Sequence, residues 1–384
     1  MENPFVYGRV VTGEEFFGRS ELIERIQNYI RAGQNIMVYG ERRVGKTSLI
    51  AEAIRRLEMP CLKVDFYEIR TEREMITRAI RGIERLEKNS PFFSRWMARG
   101  KRVRGMITQD FDQPSMVPKV HLEGYFKPPV SSITDLLDYI QDFRSEKPLV
   151  AFFDEFQGIL GLENAADVLA TMRSEIQTQA ETPYIFAGSI KRKMHEIFMD
   201  PKYPFYKSAL SLQIGPIAFN EIGPVVNGLL ESGGRKIEFE YLRGLYDLLY
   251  GNTGDFQQLC NSLWEVSRPG QTLDRDVIKD ALESVWETEM SVYASVRKAL
   301  TSQQNRVLQT LALTDGKEPF GSHFRKVAGD ISPSTVQKAL ARLEEMDLVY
   351  QPDESKDFRF YAPFFKLWLI SQVVYPMEIP LGAR

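Results

Sequence analysis

The sequence predicts an α/β domain with a parallel sheet and helices on both of its faces, followed by a helical domain and a winged helix-turn-helix. Three observations lead to this prediction. Short apolar runs alternate with helical patterns over the first 217 residues, which is typical of a parallel sheet. Residues 218–300 show mostly helical spacing. The rest of the chain has three short helical patterns and then two strand-like runs around a polar tip, as in a winged helix.

The length of 384 residues is sufficient for two or three domains. We place their boundaries at residues 1–217, 218–300 and 301–384. Residues of about 88–130 do not follow the alternation of the first domain. We therefore interpret them as an insertion into that domain.

The composition argues against several classes of protein. Basic and acidic residues number 49 and 52, which gives a net charge of −3, so no global positive charge favours nucleic acid or an anionic membrane. Two cysteines are too few for a disulfide framework and fit a reducing compartment. Neither a signal peptide nor an apolar run long enough to cross a membrane is visible. We expect a cytoplasmic protein that does not associate with membranes.

The alternation in the first domain predicts its elements in order. Predicted strands lie at residues 36–39, 61–66, 149–153, 184–187 and 210–214. Predicted helices lie at residues 20–32, 75–86, 133–143 and 168–180, and another follows the first strand and its turn as far as residue 57. Ser20 is expected to cap the first helix, and Gly33 is expected to end it.

The later elements are predicted in the same way. Helical patterns occupy residues 239–250, 256–266, 276–286 and 292–300 of the second domain. In the third domain, helices are predicted at 303–313, 322–328 and 332–346, and strands at 348–350 and 358–361. Ser332 is the expected N-cap of the last of these helices, with Pro333 in its first turn.

A glycine-rich segment directly follows the first strand. It reads Gly40-Glu41-Arg42-Arg43-Val44-Gly45-Lys46-Thr47 and matches G-x-x-x-x-G-K-[ST] between a strand and a helix. Glycines let successive backbone N–H groups point at phosphate oxygens, and the helix N-terminus adds a favourable dipole. Lys46 is expected to reach the β- and γ-phosphates, and Thr47 to hold Mg²⁺. The segment predicts a site for ATP and Mg²⁺, although a glycine-containing turn with a chance lysine would share part of this pattern.

A second candidate element is the apolar strand at residues 149–153, which ends in two acids, Asp154 and Glu155. Asp154 is expected to organise the Mg²⁺ shell, and Glu155 to polarise the attacking water as a general base. By itself the pattern also suits a strand followed by a solvated turn. Beside the glycine-rich segment it favours a hydrolytic site, because Gly40, Asp154 and Ser189 all fall at the carboxyl ends of predicted strands.

Together these segments resemble a known family. Phe17-Gly18-Arg19, the glycine-rich segment through Ser48, and the run at residues 153–157 are similar to the archaeal-type ATPases, in the STAND branch of AAA+-like P-loop ATPases. The similarity extends to Gly188-Ser189 and to an aromatic segment at residues 361–368.

The resemblance implies an ATPase domain, a helical lid and a winged helix, in a protein that acts as a nucleotide-controlled switch. It also implies roles for individual residues. Phe17, Gly18 and Arg19 would lie near the adenine, and Ser189 would be a sensor beside the γ-phosphate.

One departure concerns the sensing of the γ-phosphate. The family motif ends in Gly-Arg after Pro-Leu-Tyr, whereas Lys207 and Ser208 follow Tyr206 here. Either Lys207 substitutes for the arginine, or Arg192 does, or this function is lost. A lysine in this place is not equivalent to the arginine, because it lacks the guanidinium fork. The basic cluster at residues 191–193 is also consistent with a solvated loop.

Two further regions leave alternatives open. Between residues 95 and 104, basic residues are interleaved with Trp96 and Met97, which suits nucleic acid or an acidic protein surface but also a solvated amphipathic helix. In the winged helix, Lys338 and Arg342 could contact DNA. However, ten basic and ten acidic residues cancel from residue 301 onward, and phosphate neutralisation dominates duplex affinity. Docking to a protein partner or within the chain is therefore equally open.

The sequence thus predicts a switch that binds ATP, hydrolyses it to ADP with Mg²⁺, slowly or on stimulation by a partner, and couples nucleotide state to lid and winged-helix movement. The alternative is a nucleotide-binding, DNA-associated regulator or scaffold with little hydrolysis. A third interpretation, an oligomeric motor, needs an arginine supplied by a neighbouring copy. Oligomeric state, partner and pathway stay open.

Overall fold

A computed structural model describes residues 2–86, 132–146, 148–352 and 355–373. The chain divides into two compact units, an α/β unit (Val10–Gly215) and a C-terminal unit (Met1–Arg9 and Pro216–Arg384). The division into three domains stays a prediction. The predicted insertion and its basic segment at residues 95–104 lie outside the described residues.

The α/β unit contains the elements that the alternation predicts, with small shifts at their ends, and also a helix at Lys191–Met199 and a 3-10 helix at Phe156–Gly161 that it does not predict. Its strands are β1 (Ile36–Tyr39), β2 (Cys61–Asp65), β3 (Val150–Asp154), β4 (Tyr184–Gly188) and β5 (Leu210–Gln213). Its helices are α1 (Ser20–Arg31), α2 (Lys46–Arg56), α3 (Glu72–Leu86), α4 (Ile133–Glu146), α5 (Ala165–Thr178) and α6 (Lys191–Met199), and a 3-10 helix (Phe156–Gly161) follows β3.

The five strands form one parallel sheet in the order β2-β3-β4-β1-β5. Every residue of β1, β3 and β4 is buried, because helices cover both faces and the strand sequences are almost entirely apolar. Two hydrophobic clusters therefore form, one on each side of the sheet. The predicted parallel sheet is confirmed, and its carboxyl edge carries Gly40, Asp154 and Ser189.

The predicted cap of the first helix is wrong. Ser20 is the first helical residue, and Arg19 occupies the N-cap position without a side-chain hydrogen bond to the helix. Gly18 and Arg19 both have left-handed backbones, with φ of 73° and 60°. The chain thus enters α1 through a tight turn, which leaves no extended position for a serine cap. Gly33, with φ of 65°, follows the end of α1 as predicted.

The C-terminal unit begins with a helical part and ends in the winged helix. The helices of the first part are α7 (Phe219–Ser232), α8 (Phe239–Leu248), α9 (Thr253–Val266) and α10 (Arg275–Ala299). The two segments predicted to be helical, 276–286 and 292–300, belong to one helix of 25 residues. Nothing between Trp286 and Val292 breaks a helix, since the intervening Glu, Thr, Met and Ser are tolerated there.

The winged helix has the predicted order of elements. Its helices and hairpin are α11 (Ser302–Leu313), α12 (Ser322–Val327), α13 (Pro333–Glu345), β6 (Val349–Tyr350) and β7 (Arg359–Phe360), and α14 (Pro363–Ser371) closes it. The side chain of Ser332 accepts a hydrogen bond from the Thr335 N–H at 3.2 Å, and Pro333 begins α13. Both features confirm the predicted start of this helix.

The first nine residues pack with the C-terminal unit rather than with the α/β domain in which we placed them. Phe5 is 2% exposed, and its ring lies edge-on to Trp264 with a centroid distance of 6.1 Å. The Asn261 side chain donates to the Phe5 carbonyl at 2.8 Å. The buried Phe5 ring and the hydrogen bond from Asn261 thus attach the N-terminal segment to the C-terminal unit.

Each unit contains one cysteine. Cys61, partly buried at the start of β2, and Cys260, fully buried in α9, are both free thiols. Burial raises the pKa of the Cys61 thiol to about 12 and raises the pKa of the Cys260 thiol as well. Among the described residues, no helix is long and apolar enough to span a membrane.

A buried carboxylate stabilises α2. The side chain of Glu52 is fully buried and accepts hydrogen bonds from Arg55 and Arg56 and from the Gly13 N–H. The bond from Arg55, followed by those from Gly13 and Arg56, lowers the pKa of Glu52 to about 2 although burial opposes this. This carboxylate thus ties the residues before α1 to the helix that follows the glycine-rich segment.

We expect Glu52→Gln to lower the free energy of unfolding of the α/β unit by about 2 kcal/mol at neutral pH, with the exposed arginine partners limiting the effect. Because the pKa of Glu52 is depressed in the folded state, its stabilisation is present above pH 4.5 and is lost as the pH falls toward 2. Denaturant unfolding as a function of pH measures this difference. Glu84→Gln, at an exposed position of α3, is the control. Equal stability of the two variants at pH 7 would contradict the assignment.

Candidate active site

The glycine-rich segment forms the turn between β1 and α2, and two of its glycines are required for different reasons. Gly45 precedes α2 with φ of 89°, a left-handed conformation that favours glycine. Gly40 has no room for a side chain, because a Cβ would lie 2.1 Å from the Ile214 carbonyl oxygen. Arg43 also has a positive φ, of 63°. The turn thus curls its backbone at the amino end of α2, as a phosphate-binding turn requires.

Lys46 is buried within this turn, with only 5% of its surface exposed. Its ammonium donates to the carbonyl oxygens of Gly40 at 3.0 Å and Glu41 at 2.7 Å. Burial lowers the pKa of Lys46 to about 8, although Glu155 and Asp154 act in the opposite direction. Both hydrogen-bond acceptors are neutral, so a phosphate group would supply the anion that this buried cation favours.

Arg19 supports the same turn from the side. It is 7% exposed, and its Nη2 donates to the carbonyl of Val44 at 2.6 Å and to that of Gly215 at 2.8 Å. Arg19 and Arg42 both act to lower the pKa of Lys46, so their charges lie within electrostatic reach of it. The structure therefore brings Arg19 to the turn, and a position of Phe17 and Gly18 near an adenine stays a prediction.

Thr47 and Asp154 meet at the carboxyl edge of the sheet. The Thr47 hydroxyl lies 3.0 Å from Asp154 Oδ2 and 3.3 Å from Oδ1. The carboxylate can only accept, so the hydroxyl donates to it and keeps its oxygen lone pairs available. Lys63 also reaches this carboxylate, with its Nζ 2.7 Å from Oδ2.

The donor set around Thr47 fits Mg²⁺. This cation takes oxygen ligands, keeps several waters, and is bound in nucleotide sites by one or two protein groups together with substrate phosphates. A hydroxyl oxygen with a buried carboxylate behind it provides the protein's share of such a shell. Thr47 and Asp154 are therefore the residues that would hold the metal.

Glu155 follows β3 in a left-handed conformation, with φ of 49°. Its Oε2 accepts hydrogen bonds from the Ser189 hydroxyl at 2.6 Å and from the Gln157 amide at 2.5 Å. The amide of Gln157 also lies 3.4 Å from the Ser189 hydroxyl oxygen. The structure thus brings the predicted base and the predicted sensor together, with a buried glutamine between them.

Sequence reasoning missed two residues of this site. Gln157 stands in the run at residues 153–157 that we used for the family resemblance, but we assigned it no role. Lys63 interrupts the otherwise apolar centre of β2. A charged residue in a strand that pairs with the strand ending in Asp154 was the available signal.

The two candidates for γ-phosphate sensing, Lys207 and Arg192, both belong to the α/β unit. Lys207 has φ of 53°, and its ammonium lies 5.2 Å from the centre of the Tyr206 ring. Arg192 is exposed. The cluster at residues 191–193 forms the first turn of α6 rather than a loop, and Lys191 lies over the Tyr39 ring at 5.7 Å.

Comparison with protein families decides the class of the first domain. Residues 16–196 match the model of an ATPase domain found predominantly in Archaea. The chain carries an archaeal-type ATPase domain. This domain includes the turn from Gly40 to Thr47 together with Asp154, Glu155 and Ser189. Residues 291–371 match the model of a probable winged helix domain, which confirms the predicted C-terminal fold. Comparison with curated proteins gave no match.

Solved structures extend the comparison beyond the archaeal-type ATPase domain. A Walker-type ATPase of Pyrococcus abyssi is 17% identical with a TM-score of 0.67, over 95% of this chain and 99% of that chain. This structure shows the fold along nearly the whole length. The ORC1 protein of Aeropyrum pernix in complex with DNA is 13% identical with a TM-score of 0.45, over 94% and 95% of the two chains. The RuvB Holliday junction branch migration motor of Thermotoga maritima is 10% identical with a TM-score of 0.44, over 91% and 94%.

Proposed function

We propose that this protein binds ATP with Mg²⁺ and hydrolyses it to ADP and phosphate, as a STAND-type switch of the AAA+ class. One observation carries the proposal. Lys46, Thr47, Asp154 and Glu155 lie at one edge of a parallel sheet, and this arrangement supports the roles proposed for them.

Binding of the triphosphate uses residues 40–48. Backbone N–H groups of the turn and of the first turn of α2 would donate to the phosphate oxygens. The ammonium of Lys46 would exchange its two carbonyl acceptors for phosphate oxygens, which form stronger hydrogen bonds because they are charged. Bound Mg²⁺, held by Thr47 with Asp154 behind it, would offset the negative charge of the phosphates.

Hydrolysis requires a base that takes a proton from water as the water oxygen bonds to the γ-phosphorus and the bond to the β-phosphate oxygen breaks. Glu155 is the proposed base. In the structure its Oε2 is already engaged by Ser189 and Gln157. If a γ-phosphate accepts the hydrogen bond of the Ser189 hydroxyl instead, Glu155 Oε2 becomes available to water. Such a step would make turnover slow, or dependent on a partner.

The switch requires that nucleotide state reach the helical lid and the winged helix. These two parts belong to one compact unit. The Trp286 ring N–H donates to the Phe364 carbonyl at 3.1 Å, and the ring of Tyr293 packs on those of Phe365 and Trp368. These contacts join α10 to α14, so the proposed movement would carry the lid and the winged helix together.

The test is steady-state ATP turnover of the purified protein with and without Mg²⁺, beside the Glu155→Gln variant. Turnover that needs Mg²⁺ and that the variant abolishes would support an ATPase with this base. Failure of the protein to bind ATP would refute the proposal. ATP binding without turnover would favour a binding-only regulator.

The second candidate function, a DNA-associated regulator, has one observation in its favour. Exposed polar side chains follow one face of α13: Ser334, Gln337, Lys338 and Arg342. This is the helix that would read a major groove in a winged helix. Against it, Arg342 already forms an ion pair with Glu345 at 2.6 Å.

If this face binds DNA, we expect Lys338→Ala combined with Arg342→Ala to weaken duplex binding about tenfold or more at low salt and to reduce its salt dependence. Fluorescence anisotropy over a salt series measures both effects. Lys298→Ala, at an exposed position near the end of α10, is the charge-matched control for one substitution. If the unmodified protein binds duplex independently of salt, or if the double variant binds duplex as tightly as the unmodified protein, this face of α13 is not the DNA-binding surface.

A further inference from the structure

Lys63 has no role in the proposed function, yet it lies inside the candidate metal site. Its ammonium is 2.7 Å from Asp154 Oδ2, the same oxygen that lies 3.0 Å from the Thr47 hydroxyl. The side chain of Asp154 is 9% exposed, and that of Lys63 is 37% exposed. The cation therefore contacts the carboxylate behind the proposed metal ligand, from a side chain that is partly open to solvent.

The fold determines this contact. β2 and β3 pair in parallel with Lys63 opposite Phe152, and the ammonium lies 5.2 Å from the centre of the Phe152 ring. The side chain thus runs along the neighbouring strand toward its carboxyl end and meets Asp154 two residues further on. An aromatic face favours a cation in this position.

The contact changes the charge that a metal ion would meet. Two anions, Asp154 and Glu155, face Lys46 and Lys63, and Arg19 and Arg42 add two positive charges within electrostatic reach of Lys46. Asp65, which is opposite Asp154 in the pairing of β2 with β3, adds one negative charge. Together these groups carry no net negative charge. A divalent cation beside Asp154 would lie within a few ångströms of an ammonium, and like charges at such distances repel strongly at the edge of a protein interior. Without phosphate, the site offers a metal little net attraction.

We propose that Lys63 makes divalent metal binding conditional on nucleotide: it neutralises Asp154, so that the metal binds only when phosphate oxygens supply further negative charge. The inference rests on the proposed nucleotide site and deepens it, because it states that the metal enters together with nucleotide and not before it. Lys63 is in this sense a specificity-determining residue for the cofactor and not a catalytic one.

The test is a titration of the nucleotide-free protein with Mn²⁺, followed by electron paramagnetic resonance. The unmodified protein should bind Mn²⁺ weakly, and Lys63→Met should bind it at least about tenfold more tightly, because a neutral side chain removes the repulsion. Lys63→Arg should behave like the unmodified protein. Lys202→Met, at an exposed position of the same unit, removes an equal charge away from the site and should change nothing.

Two further measurements locate the effect. Thr47→Val in the Lys63→Met background should abolish the gained Mn²⁺ binding, since it removes the hydroxyl ligand. With saturating ADP, the Mn²⁺ affinities of the unmodified protein and of Lys63→Met should differ less than they do without it. Should Lys63→Met fail to fold, as judged by thermal melting, Lys63→Gln takes its place, because its amide can still donate to Asp154.

A folded Lys63→Met that binds Mn²⁺ no more tightly than the unmodified protein would overturn the inference. Tight Mn²⁺ binding by the unmodified protein without nucleotide would also overturn it. Neither result would affect ATP binding, which tests the proposed function separately. Conversely, a protein that binds no ATP would refute the proposed function even where the Mn²⁺ titration behaves as expected.

Discussion

Lys46→Ala is expected to raise the dissociation constant for ATP at least about 100-fold, or about 2.7 kcal/mol. The reason is the position of the ammonium, which is buried in the turn and donates to two neutral carbonyls. Burial lowers the pKa of Lys46 to about 8. A phosphate group is the partner that would offset this burial. Calorimetric titration with ATP and Mg²⁺ measures the affinity.

The control for this change is Lys202→Ala, an exposed lysine of the same unit, which should bind ATP as the unmodified protein does. Thermal melting should show that both variants are folded. Truncation of Lys46 relieves a desolvated charge, so we expect the Lys46→Ala protein to be at least as stable as the control. A Lys46→Ala protein that binds ATP normally would refute the proposed site.

Glu155→Gln is expected to lower ATP turnover by about 10²- to 10⁴-fold, the usual contribution of a general base, and to leave ATP affinity nearly unchanged. The amide oxygen of glutamine can still accept from Ser189 and Gln157, which now contact Glu155 Oε2, so the local structure is preserved. The amide cannot take a proton from water. Turnover should be measured with saturating ATP, so that kcat alone is compared.

Glu163→Gln, at an exposed position of the α/β unit, is the matched control and should keep full turnover. Normal turnover by Glu155→Gln would exclude this residue as the base. Loss of ATP binding together with turnover would show instead that Glu155 supports the phosphate site.

The sequence predicted the sheet well because β1, β3 and β4 are short apolar runs, and helical patterns separate the strands. β1 was predicted to the residue, and β3 was one residue out of place at each end. The ends of several helices were less predictable. Helical spacing places the buried face of a helix, whereas its first residue depends on local backbone conformation, as the left-handed Arg19 before α1 shows.

The candidate site was predictable where its chemistry lies within one run of sequence. Residues 40–48 and the pair Asp154 and Glu155 belong to such runs. The contact of Lys63 with Asp154 joins neighbouring strands that are distant in sequence, and the contact of Gln157 with Ser189 joins the ends of β3 and β4. Both contacts depend on the order and register of the strands, and a sequence motif contains no information on strand order or register. That is why Lys63 and the role of Gln157 became apparent only in three dimensions.

The reactivity of the two cysteine thiols reports on how readily each part of the molecule opens. Only the thiolate reacts with an alkylating or disulfide reagent, and burial keeps both thiols protonated at neutral pH. Reaction is therefore slowed at the partly buried Cys61, and at the fully buried Cys260 it requires local or global opening. Since Cys61 lies in the α/β unit and Cys260 in the C-terminal unit, the unmodified chain carries one reporter for each. If nucleotide stabilises one unit more than the other, the reaction of the cysteine in that unit should slow more than the reaction of the other cysteine.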